Sequence, residues 1–158
     1  MLNGGPCRGI SAIKKHIGKP YFEKYISLLV RVVAHYVNKQ IDHGAEAIQL
    51  FDTYAGMLKD KKQIEKYIFK TTKKIVSEVK KKNKKIPIIG FPKGLGCLYK
   101  DFVKITGVDV INIDQSVSLA WALKELRGRA VLQGNLSPET LRLGGRKLDE
   151  EVLSILRC

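Results

Sequence analysis

Cysteine is scarce in this chain of 158 residues: Cys7, Cys97 and Cys158 are an odd number, form no C-x-x-C pair and have no histidine at ligand spacing. No disulfide framework or zinc site is legible in that pattern, and the expected number of metal ligands is none. His16, His35 and His43 share no i, i+4 pair, so they read as helix-surface or packing residues. Acid is the second shortage. The chain has 15 Asp+Glu against 29 Lys+Arg, a net charge of +14, which invites an anionic partner. The lysines gather at Lys59, Lys61, Lys62 and Lys80 to Lys85, as solvated helix faces and ends do. The charge therefore reads first as a generic basic surface, with an acidic small-molecule substrate as its other use; aromatics follow the buried periodicity rather than interleaving with the cations, so nucleic acid is the lesser reading. Long apolar runs are missing too. Nothing approaches the roughly 20 residues of a membrane span, and Met1 to Pro6 has no charged segment before an apolar core, so no membrane partner and a reducing cytoplasm are expected. Finally, neither G-x-G-x-x-G nor a Walker pattern occurs; the turn Pro92-Lys93-Gly94-Leu95-Gly96 is only a weak candidate for holding phosphate.

What is present is organised around Gly44 to Gly56, G-A-E-A-I-Q-L-F-D-T-Y-A-G. Ala47, Ile48, Leu50 and Phe51 form an apolar run too short for a helix and bounded by glycines, which predicts a buried parallel strand over 47–51. Asp52, Thr53 and Tyr54 then fall at its carboxyl end, where parallel α/β folds bind ligands.

Residues 1–11 are glycine-rich and predict a loop. Phe22, Ile26, Leu29, Val33, Tyr36 and Val37 recur at spacings of three and four after Pro20, a long amphipathic helix stopped by Gly44. Ile64, Ile68, Ile75 and Val79 mark a second helix whose last turn is rich in lysine. A strand over 86–91 follows, then a short helix through Leu98, Phe102, Val103 and Ile105 ended by Gly107. A strand over 108–113 has Asp114 at its tip, expected to brace a loop. A helix over 118–127 packs Trp121, and a strand over 130–132 leads to a helix opened by Ser137-Pro138. Leu148, Val152, Ile155 and Leu156 predict a last one.

Four strands alternating with helices predict a parallel sheet with right-handed crossovers. With no dinucleotide turn after the first strand, a barrel section is favoured: fold class α/β, a partial (β/α)₈ barrel of about four βα units over residues 1–158, where a whole barrel needs roughly 250 residues. Such a section has two unpaired edges, and Ile48, Leu50, Ile88 and Ile111 are expected to lose part of their cover.

Read together, F-D-T-Y-A-G (51–56), I-G-F-P-K-G (89–94), V-D-V-I-N-I-D (108–114) and L-Q-G-N-L-S-P (132–138) resemble the uroporphyrinogen decarboxylase family across nearly the whole chain. The resemblance implies a (β/α)₈ barrel, usually homodimeric, that removes four acetate carboxylates from uroporphyrinogen III to give coproporphyrinogen III in heme biosynthesis, with no cofactor. Protonating a pyrrole carbon would make the ring an electron sink, with an aspartate stabilising the cation and arginines holding carboxylates. By the same resemblance, Thr53 matches a Ser/Thr that hydrogen-bonds a substrate carboxylate, and Phe51 matches an apolar cleft-lining position. The catalytic aspartate, the arginines and the substrate tyrosine map before Met1 and the histidine beyond Cys158, so catalytic residues within the chain are expected to be none, and the chain alone inactive. Asp52 and Asp114 are not substitutes for that aspartate. Gln115 and Ser137 depart from the family, which more often has an aromatic and an aspartate there. A related methyltransferase would show a His-x-Cys pair, and none occurs.

Overall fold

Pro20 opens the longest helix of the protein because its fixed φ suits a first helical turn and its missing N–H would have no partner there. The structure is a computed structural model and describes residues 11–157, so the loop expected over 1–11 lies, except for its last residue, outside the described residues. A short helix α1 (Ser11–Lys14) precedes α2 (Pro20–Asp42), and β1 is Ile48–Asp52. Next come α3 (Lys61–Gln63), a widened π turn (Ile64–Phe69) and α4 (Lys70–Lys82), one continuous helix. The widened turn lets Ile64, Ile68 and Phe69 all bury. It also brings the Tyr67 hydroxyl to α2, where it donates to Glu23 (2.7 Å).

Strand β2 (Ile88–Pro92), helix α5 (Tyr99–Thr106), strand β3 (Val110–Asn112), helix α6 (Leu119–Leu126) and strand β4 (Val131–Gln133) complete the alternation, with α7 (Pro138–Leu143) and α8 (Gly145–Leu156) last. Gly107 ends α5 in the left-handed region at φ 70, as its position after the last apolar repeat predicts. Ser118 and Ser137 cap α6 and α7, accepting from the N–H groups of Trp121 and Thr140. Each strand starts one or two residues later than the apolar runs suggest, because the first residue of each run still belongs to the entering loop.

The sheet is parallel throughout, in the order β1-β2-β3-β4. Its register pairs Phe51 with Phe91, Gly90 with Ile111, and Asn112 with Gln133. Sequential parallel order, with a helix in each return between strands, is the arrangement of a barrel wall.

The helices cover one face of this wall, and there the sequence expectation needs correcting. Ile48, Ile88 and Ile111 are fully covered, and Leu50 is half-buried. They share one core cluster with the helix residues Phe102, Val79 and Leu126; burying each large apolar side chain contributes about 1.5–3 kcal/mol. Alternation puts the opposite set on the other face, helix-free among the described residues, where Phe51 is 69% and Val131 66% exposed. A strand apolar on both sides carries no alternation from which to read its faces.

At the amino ends of the strands, Lys80 ties α4 to the sheet. Its ammonium lies 2.8 Å from an Asp109 carboxylate oxygen and donates to the Ile86 carbonyl (2.9 Å), while the same carboxylate accepts from the Ile88 N–H (2.8 Å).

Candidate functional site

The carboxyl ends of the four strands carry the polar residues singled out in the sequence. Phe51 and Phe91, paired in register on the helix-free face, meet edge to face with ring centroids 5.9 Å apart. They form an apolar floor. One step beyond the β1–β2 ladder, the Lys93 N–H donates to the Asp52 carbonyl (3.1 Å), so the register continues and sets Thr53 beside Lys93 at the rim of that floor. Both residues are exposed.

Loops after neighbouring strands are tied to one another. The peptide joining Lys93 to Gly94 carries the first tie: its carbonyl accepts from Gly56 N–H (2.9 Å), and its N–H donates to Asp114 Oδ2 (2.5 Å). A Cβ on Gly56 would lie 2.3 Å from the Gly94 carbonyl oxygen, so only glycine allows this approach, and Gly94 itself sits at φ 79. The loop after β3 is joined to the next by Asn135 donating to the Val117 carbonyl (2.9 Å) and Gln115 donating to the Leu136 carbonyl (2.7 Å). Gln115, one of the departures from the family, is thus used as a tether.

Asp114 braces its loops, as its sequence position suggests. Its second oxygen accepts from Ser116 N–H (2.9 Å), and the Ser116 hydroxyl accepts from Gly96 N–H (3.2 Å). Burial pushes the Asp114 carboxyl up, but hydrogen bonds from Ser116 and Gly94 outweigh it and hold the group below its ordinary value. This counts against the phosphate-holding option for residues 92–96: the N–H groups of both its glycines, Gly94 and Gly96, are spent on Asp114 and Ser116. Beneath them the Tyr99 hydroxyl is fully buried without a well-formed hydrogen bond, and burial followed by the nearby Asp114 charge pushes its pKa well above the ordinary tyrosine value.

Asp52 is in the opposite state. It turns toward the helices and borders a 170 Å³ pocket with Phe22, Tyr54, Leu58 and Tyr67. Burial raises its carboxyl above the ordinary value, offset only in part by the Tyr54 N–H. Neither acid faces the open floor as a free carboxylate. Among the described residues, no group of three or more His, Cys, Asp or Glu could hold a metal ion, and no helix is long and apolar enough to cross a membrane.

Sequence reasoning placed Thr53 and Phe51 at this end of β1. It treated Lys93 only as a cation in the turn over 92–96, because the register that sets it beside Thr53 is a property of the folded sheet.

A parallel βα wall with braced loops at the carboxyl ends of its strands defines a section of a (β/α)₈ barrel. The uroporphyrinogen decarboxylase family profile matches residues 1–158, and the chain belongs to that family. Uroporphyrinogen decarboxylase of Rhodospirillum rubrum is 38% identical over 158 residues, covering 99% of this chain and 45% of the relative. The enzyme of the same name from the Wolbachia of Brugia malayi is 43% identical over 136 residues, 86% of this chain and 38% of the relative. That of Neorickettsia sennetsu is 38% identical over 143 residues, 89% and 42%. The chain spans less than half the length of these relatives.

Proposed function

We propose that this chain supplies part of the substrate cradle of a uroporphyrinogen decarboxylase, which converts uroporphyrinogen III to coproporphyrinogen III by removing four acetate carboxylates, without a cofactor. The observation that carries the reading is the helix-free floor of Phe51 and Phe91 with Thr53 at its rim. An apolar floor suits the face of a pyrrole ring and excludes water beneath it. The Thr53 hydroxyl donates to an acetate carboxylate at the edge of the ring, a charge-assisted bond.

Proton transfer to a pyrrole carbon makes the ring a cation. The electrons of the bond to the departing carboxylate then flow into the ring, CO₂ leaves, a second proton adds to the exocyclic methylene to make the methyl group, and the first proton leaves the ring carbon, so that one proton replaces each carboxylate. The acid and the arginines that the resemblance assigns to these steps map outside this sequence. Within it, Asp114 is committed to backbone N–H groups and Asp52 is turned among helix side chains, so the chain's own residues bind and orient. The complete barrel works as a cytoplasmic homodimer in this reading, and the net charge of +14 favours approach of a polycarboxylate.

The test is a barrel assembled from this chain and the remaining segments of the Rhodospirillum rubrum relative. Thr53→Val should raise KM for uroporphyrinogen about tenfold, the loss of one charge-assisted hydrogen bond. Unchanged KM and kcat would remove Thr53 from the site.

A further inference from the structure

The four loops that follow the strands hold few cations in a chain otherwise rich in them. They contain two lysines, Lys59 and Lys93. Lys59 donates to the Gly56 carbonyl (3.0 Å). The Lys93 ammonium makes no hydrogen bond or ion pair among the described residues, although many of the helix lysines do. Its place is fixed all the same. The continued β1–β2 register sets it next to Thr53, and alternation from Phe91 directs it to the helix-free face. Its backbone is clamped on both sides, by Gly56 through the Lys93 carbonyl and by Asp114 through the following N–H. The acid next in register, Asp114, is spent on Gly94 and Ser116 and does not neutralise it.

We propose that Lys93 is a second carboxylate anchor of the substrate site, its ammonium and the Thr53 hydroxyl together gripping the acid arms of one edge of the tetrapyrrole above the Phe51–Phe91 floor. This rests on the decarboxylase reading of the site. A point charge on a flexible stem suits the task, because successive decarboxylations present different arms to the same rim and an ammonium places few angular demands on its partner. The clamped peptide supplies the order that a loop lysine otherwise lacks.

The test uses the full chain and uroporphyrin, the oxidised octacarboxylate form of the substrate, with binding read from porphyrin fluorescence in a salt titration. Lys93→Met should weaken binding about tenfold and flatten its salt dependence, whereas Lys93→Arg should retain most of both. Lys104→Met, which removes an equal charge from the exposed face of α5, is the control for general attraction and should change affinity less than twofold. Thr53→Val separates the two readings. Loss with Lys93→Met and none with Thr53→Val keeps the lysine anchor and removes the threonine; loss with Thr53→Val alone overturns the anchor. Equal losses in Lys93→Met and Lys104→Met, or no saturable binding by the unaltered chain, also overturn it.

Discussion

The N–H of Gly94 donates to the carboxylate of Asp114 across 2.5 Å, and the same peptide unit accepts from Gly56 N–H through the Lys93 carbonyl. One peptide plane thereby joins three loops, and each bond polarises the other. Asp114→Ala leaves two N–H groups without their acceptor and should cost about 2–4 kcal/mol, two charge-assisted bonds less what water restores. Because the folded-state carboxyl is held low, its contribution is full above the unfolded value of about 3.9 and disappears as pH falls through the folded one. Urea unfolding between pH 7 and pH 3 should therefore show a shallower acid-side decline for Asp114→Asn than for the parent. An unchanged slope would mean that the carboxylate is not the brace.

Gly56→Ala tests the close approach rather than the charge. Its Cβ would fall 2.3 Å from a backbone oxygen, so the two loops must part, at a cost of about 1–3 kcal/mol. The expected result is a lower melting temperature together with faster amide exchange at Gly94. Retention of both parent values would show that the loops are not in contact.

Asp52 should behave in the reverse sense to Asp114. Its raised carboxyl favours folding while protonated, so its contribution declines as pH rises from about 3.9 through the folded value and is a constant penalty above it. Asp52→Asn, which keeps an acceptor for Tyr54 N–H, should raise the urea midpoint at pH 7, and the gain should shrink toward pH 4. A destabilised variant at pH 7 would show that the ionised carboxylate is needed.

Lys80→Met removes the ammonium that joins Asp109 to the Ile86 carbonyl. Asp109 is 41% exposed, so solvent screens part of the pair, and a loss of about 1 kcal/mol is expected. High salt should weaken the parent and leave the variant nearly unchanged; equal salt responses would make the pair energetically silent.

The alternation of elements was legible in the sequence because each helix carries a clear apolar repeat and a chemical stop: Pro20 and Gly44 around α2, Ser118 before α6, Gly107 after α5. The widened turn at Ile64–Phe69 was not, since its apolar spacing is also that of an ordinary helix. The faces of the strands were misread at Ile48, Ile88 and Ile111 because apolar residues occupy both sides. At the candidate site, the places of Phe51 and Thr53 at the carboxyl end of β1 were legible from the apolar run that leads to them. Pairing Thr53 with Lys93 depends on register between strands about forty residues apart, which no local pattern encodes.

The most direct test of the account is uroporphyrinogen turnover by the purified chain alone and after mixing with separately produced amino- and carboxyl-terminal segments of the Rhodospirillum rubrum relative. The account predicts no turnover above the spontaneous rate for the chain alone and coproporphyrinogen formation on mixing, reduced by Thr53→Val. Turnover by the chain alone, or a mixture that forms the barrel by circular dichroism yet leaves uroporphyrinogen unchanged, would contradict it.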